Sequence, residues 1–111
     1  MASVKRLRGL AREAAARSVS SLYRAAVEAL KDGDVELARR LVAEAEEVRR
    51  VARLRKPRFL RLGVCKNCGV PLVPGLSARV RLHAEGRITR VSVTCLYCGY
   101  VRRMHVRRRK G

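Results

Sequence analysis

Tryptophan is absent from this 111-residue chain, and Phe59, Tyr23, Tyr97 and Tyr100 supply all of its aromatic surface. A core that lean is marginal at this size, and small domains of the kind lean on a metal or a partner. Carboxylates are scarce too, and unevenly so. Residues 1–50 carry 11 Lys/Arg against 8 Asp/Glu, whereas residues 51–111 carry 16 against the single acid Glu85, so the nets are +3 and +15. With one carboxylate, the second half cannot build the acidic cluster that a metal-dependent nuclease needs. Long apolar runs are also missing: the N-terminus, MASVKRLRGL, is too charged for a signal peptide or a membrane span. The expected location is the cytoplasm, a reducing compartment in which cysteines bind metal more readily than they form disulfides.

What is present is a polycation. A solvated surface normally mixes both signs, and a segment with one acid among sixteen bases repels itself unless a polyanion covers it. Nucleic acid fits better than a membrane surface, because no basic amphipathic helix with aromatic anchors is visible. Arginine supplies 22 of the 27 positive residues. Its planar fork grips phosphate and stacks on unpaired bases, which suits RNA, although a GC-rich genome or a hot habitat enriches arginine as well.

The N-terminal half has helical periodicity. Ala11, Ala15, Val19, Leu22, Ala26, Ala29 and Leu30 draw one apolar stripe on a helix from about Leu7 to Lys31. Asp32-Gly33-Asp34 then offers a C′ glycine and the next N-cap. A second helix is expected from Val35 to Arg55, with Ala38, Leu41, Val42, Ala45, Val48 and Ala52 on its apolar face and Pro57 barring continuation. Two such small-faced helices cannot bury both stripes against each other. The stripes therefore face either the chain's own C-terminal half or another protein, and Val19, Leu22, Ala26, Leu30, Leu41, Ala45 and Val48 are the candidate docking residues.

From residue 57 a basic connection leads into strand patterns at 78–83, 87–94 and 100–107. Val80 and Leu82 alternate with Arg79, Arg81 and His83, which predicts a half-buried strand with a basic outer face. Ala84-Glu85-Gly86 reads as the hairpin turn. All four cysteines fall in two CxxCG motifs, Cys65-Lys66-Asn67-Cys68-Gly69 and Cys95-Leu96-Tyr97-Cys98-Gly99, placed on either side of the hairpin. Each motif turns its two sulfurs towards one point, and the following glycine is free to take the left-handed backbone the knuckle needs. Strand pairing brings the knuckles together, so one structural Zn2+ on four thiolates is expected, with no open position for catalytic water. The 26 residues between the pairs exceed the usual spacing, and the hairpin accounts for them. His83 and His105 are expected as ordinary strand residues on the basic face.

The architecture expected is α+β: a helical hairpin over 1–56, a zinc ribbon of about three antiparallel strands over 57–107, and a basic disordered tail over 108–111. Lys66, Arg79, Arg81, Arg102, Arg103 and Arg107 are the candidate RNA contacts.

The stretch from Phe59 to Arg103 resembles the archaeal ribonuclease P protein component 4 family. The resemblance rests on the first CxxCG, on Pro-Leu-Val-Pro-Gly-Leu-Ser-Ala-Arg-Val-Arg (71–81) and on Thr-Cys-Leu-Tyr-Cys-Gly-Tyr-Val-Arg-Arg (94–103); Leu-Ala-Arg-Arg-Leu-Val (37–42) is similar to the family's N-terminal region. It implies a helical pair followed by a zinc ribbon, with the helices meeting an Sm-like barrel protein. It also implies binding to the catalytic RNA of an assembly that removes the 5′ leader from precursor tRNA. There the RNA carries the chemistry, so no catalytic residue is expected here. The chain departs from the family pattern at Ser77, where many members have Asn, and at Met104-His105. Without the resemblance, a ribosomal zinc-ribbon protein is the main rival, and a transcription-type ribbon contacting DNA or a polymerase is another.

Overall fold

A computed structural model describes residues 4–107 as α1 (Val4–Lys31), α2 (Val35–Val51), α3 (Arg58–Leu62) and strands β1 (Ala78–Glu85), β2 (Ile88–Cys95) and β3 (Val101–Arg107). The α+β class and the three antiparallel strands are as expected; the basic tail at 108–111 lies outside the described residues.

The turn between α1 and α2 is built as its sequence predicts. Gly33 sits at φ 84°, its N–H donates to the Leu30 carbonyl, and the Asp34 N–H donates to that of Ala29. This pair of bonds satisfies the last carbonyls of α1 and reverses the chain. Asp34 then caps α2 by accepting from the Leu37 N–H at 3.1 Å.

α2 ends four residues earlier than its periodicity suggests. The Arg53 N–H bonds to the Arg50 carbonyl and the Leu54 N–H to that of Arg49, with Arg53 at φ 54°. An arginine therefore holds the left-handed position that glycine normally takes. Pro57 does not stop α2; it precedes α3, in what the sequence pattern shows only as a basic connection. Five residues are too few for periodicity to register.

The core forms where the helical hairpin meets α3 and the first CxxCG motif. Ala26, Ala38 and Ala45 are fully buried, and their small side chains let the two helices approach. One cluster joins Ala29, Leu30 and Ala38 to Cys65, Val70 and Cys95, and a second joins Val19 and Ala45 to Leu60. Tyr23 reaches across at this point: its ring lies 5.0 Å from that of Phe59 and its hydroxyl donates to the Gly63 carbonyl at 2.9 Å. A side chain on Gly63 would collide with that hydroxyl.

These contacts correct the docking expectation. Val19, Ala26, Leu30 and Ala45 are buried inside the chain itself, and Leu22, Leu41 and Val48 are half-buried. The stripe is the intramolecular core. The large apolar helical side chains left open are Val4, Leu7 and Leu10 on the first turns of α1, and Leu37 and Val51 at the two ends of α2.

The sheet has strand order β1-β2-β3 and meets the helices at its base, through Cys95 in the core cluster and Arg102 on the Arg61 carbonyl. The molecule spans 57 × 40 × 20 Å with a radius of gyration of 16.9 Å, against roughly 13 Å for a compact chain of about this length. β1 is consequently not half-buried. Only Ala78 is covered, while Val80 is 42% and Leu82 70% exposed.

Candidate functional site

The two CxxCG motifs fold into matching knuckles. In the first, the Gly69 N–H bonds to the Cys65 carbonyl at 2.9 Å and the Cys65 N–H to that of Val70 at 3.0 Å. In the second, Gly99 bonds to Cys95 and Cys95 to Tyr100, both at 2.8 Å. Gly69 and Gly99 sit at φ 80° and 81°, where a β-carbon is strained. The Ala78↔Cys95 pairing and a 2.9 Å bond from the Leu96 N–H to the Ser77 carbonyl draw the second knuckle against the first. Ser77 is fully buried; its hydroxyl donates to the Pro71 carbonyl and accepts from the Val73 N–H. The family departure at Ser77 is thus structural, holding the loop that leads from one knuckle into the sheet.

All four sulfurs lie within 4.8 Å of one another, with Cys65–Cys98 at 3.5 Å and Cys68–Cys95 at 3.6 Å. Metal–sulfur bonds of about 2.3 Å in a tetrahedron put sulfurs about 3.8 Å apart, so the cluster has the dimensions of a four-thiolate site. No histidine joins it. The soft donor set suits zinc or an iron–sulfur centre. Burial holds the Cys65 thiol above its usual range and pushes Cys95 up to about 12. Cys98 is brought down to about 6, chiefly by a hydrogen bond from the Asn67 side chain and also by the Tyr100 backbone N–H. Arg39, on α2, adds a contact that periodicity could not reveal. Cys68 lies close enough to raise the Arg39 pKa, and the Arg39 Nε is a buried donor with no hydrogen-bond partner. A metal-bound thiolate is the acceptor that such a donor lacks.

Strand register sorts the basic residues. Arg79 faces Thr94, Arg81 faces Ser92, His83 faces Arg90, Ser92 faces Arg103 and Arg90 faces His105. One face of the sheet therefore gathers Arg79, Arg81, Arg90, Arg103 and Arg107 with His83 and His105. Its only carboxylate, Glu85, is held by an ion pair with Arg90, and His83 Nε2 lies 3.5 Å from the same oxygen. Arg90 escaped the sequence prediction, although its alternation with Val91 and Val93 carried the signal. The opposite face is apolar, with Val80 against Val93 and Leu82 against Val91. Arg102 falls on that face, opposite Val93, and Lys66 lies near it on the first knuckle. The six predicted RNA contacts thus divide, four on the arginine face and two behind it. Ala84 and Glu85 belong to β1, so the hairpin tip is Gly86-Arg87.

Residues 18–99 match the family described as the RNAse P Rpr2/Rpp21/SNM1 subunit domain. Ribonuclease P protein component 4 of Hyperthermus butylicus is 62% identical over 105 residues, which cover 94% of this chain and 91% of that protein. The corresponding protein of Methanopyrus kandleri is 47% identical over 70 residues, 63% of this chain and 54% of that protein. The chain also resembles one in a cryo-EM structure of archaeal ribonuclease P with mature tRNA, with TM-score 0.73 and 30% identity over 95% of this chain and 81% of that one. A solved structure of Pfu Rpp21 follows, with TM-score 0.62 and 34% identity over 81% of this chain and 97% of that one. The ribosomal and transcription-type ribbons are not favoured by these matches. With a family match over most of its length and these relatives beside it, this chain belongs to the Rpr2/Rpp21/SNM1 family of ribonuclease P subunits.

Proposed function

We propose that this chain is a non-catalytic, RNA-binding adaptor in cytoplasmic ribonuclease P, supporting the removal of the 5′ leader from precursor tRNA. The observation that carries the proposal is the single sheet face bearing Arg79, Arg81, Arg90, Arg103 and Arg107. Five guanidinium groups on a rigid antiparallel platform, with Ser92 and Thr94 between them, suit the phosphate spacing of a folded RNA. Glu85, the one carboxylate of the face, is paired with Arg90, so the face has no carboxylate cluster to hold a catalytic metal, and the chemistry stays with the catalytic RNA.

Cys65, Cys68, Cys95 and Cys98 would hold one Zn2+, which closes the ribbon and does not meet substrate. The helical half would meet a partner protein, for which the family resemblance suggests an Sm-like barrel subunit. Val4, Leu7, Leu10, Leu37 and Val51 are the open large apolar side chains that such contact would cover.

The test is titration of the zinc-loaded chain against ribonuclease P RNA at several salt concentrations. Each phosphate contact contributes roughly 0.7–0.9 to the log–log salt slope. The double variant Arg81→Glu, Arg103→Glu should weaken binding and lower that slope by nearly two. An unchanged slope and affinity would remove the arginine face from RNA recognition.

A further inference from the structure

The two basic residues that register leaves off the arginine face are not scattered. Lys66 and Arg102 line a small depression together with Tyr100, the apolar Val64, Leu72 and Val93, and the ligand cysteines Cys65 and Cys95. Tyr100 precedes β3 on the same parity as Arg102, and it is 42% exposed in a chain with little aromatic surface to spare. Its main chain is pinned by the 2.8 Å bond from the Cys95 N–H. The Arg102 guanidinium is also held, donating to the Arg61 carbonyl of α3. No carboxylate lines the depression.

An exposed aromatic ring that shares a depression with two cations and apolar side chains matches an unpaired nucleobase with its phosphates. The ring supplies a stacking face, and the cations sit where the backbone runs. With a cavity volume of only about 10 Å³ the depression cannot enclose a ligand, so the base would lie against the ring without entering a pocket. We propose that Tyr100, Lys66 and Arg102 form a second RNA contact, which stacks one unpaired base on the side of the ribbon opposite the arginine face. This rests on the RNA-binding function above and adds a preference for single-stranded over paired RNA.

Tyrosines are the principal intrinsic fluorophores here, since the chain has no Trp. The full-length, zinc-loaded protein is titrated with a stem–loop RNA that has an unpaired loop, and with the same stem as a blunt duplex. The stem–loop should quench tyrosine emission more than the duplex does. Tyr100→Leu should weaken stem–loop binding about tenfold, leave duplex binding unchanged and lose part of the quenching, whereas Tyr100→Phe should lose the same part of the quenching, its fluorophore being gone, but keep the stem–loop affinity. Lys66→Glu, on an exposed knuckle tip, should also weaken the stem–loop more than the duplex and gives a second test that spares the ring. Wild-type stem–loop affinity in both Tyr100→Leu and Lys66→Glu would overturn the proposal while leaving the arginine face intact. Failure of the wild type to bind either RNA would sink both.

Discussion

The two halves of this molecule are stabilised by different means. The helical hairpin buries Val19, Ala26, Leu30, Ala38, Val42 and Ala45, a short but real core. The sheet buries only Ala78 and Cys95 of its 23 residues, and its apolar face is left partly open. Hydrophobic burial therefore explains why the helices persist and fails to explain the ribbon. Backbone pairing alone does not hold a three-stranded sheet that packs on so little. The knuckles must anchor it, and the same openness leaves both of its faces free to meet RNA.

Removing the metal should break the comparison most severely. A structural four-thiolate zinc contributes on the order of 10–16 kcal/mol in small peptides, more than the helical core could replace. Cys95→Ser, or treatment with a strong chelator, should abolish hydrogen-exchange protection in β1–β3 while α1 and α2 keep most of their helical circular dichroism. Full retention of sheet protection would mean that the ribbon stands without its metal. The same site predicts a pH dependence. Burial keeps protons on Cys65 and Cys95 at neutral pH, and metal uptake must displace them. Apparent zinc affinity should rise with pH and fall in acid; competition with a chromogenic chelator that showed an affinity flat across neutral pH would mean that the thiols carried no protons to displace.

A paired truncation sharpens the contrast at smaller scale. Leu30 is 1% exposed and Leu82 is 70% exposed. Leu30→Ala should cost about 2–5 kcal/mol by denaturant unfolding of the zinc-loaded protein, and Leu82→Ala within about 0.5 kcal/mol of zero. Equal losses would show the sheet's apolar face to be covered in solution.

This asymmetry also explains what the sequence could and could not reveal. The cysteine spacing makes the knuckles legible, because a CxxCG turn is a local event, and the Gly33-Asp34 reversal is local for the same reason. Periodicity says that one helical face is buried but not by what, so Val19, Ala26, Leu30 and Ala45 could stand as docking residues until the fold packed them against α3 and the first knuckle. The division of the basic residues needs the register of β2 against its neighbours, a long-range fact. It separates Arg102 from Arg103 although they adjoin in the chain. The proximity of Arg39 to Cys68, felt in the arginine's raised pKa, joins two halves that no motif connects.

The end of α2 is the subtlest difference between expectation and structure, and it offers the smallest effect. Arg53 occupies φ 54°, a conformation that glycine adopts freely and that costs other residues roughly 1 kcal/mol. It is exposed beside Arg8 and Arg12, so its side chain makes no buried contact that would offset the strain. Arg53→Gly should therefore stabilise the protein, but by less than about 1 kcal/mol, because glycine also loses more chain entropy on folding. The substitution also thins a cluster of like charges, so it should be compared with Arg53→Asn, which removes the charge equally and tolerates the left-handed backbone less well than glycine. Stability rising in the order Arg, Asn, Gly by urea unfolding identifies backbone strain as the cause. Equal gains from Asn and Gly would assign the effect to charge, and a loss with Gly would mean that the arginine side chain holds the helix end in place.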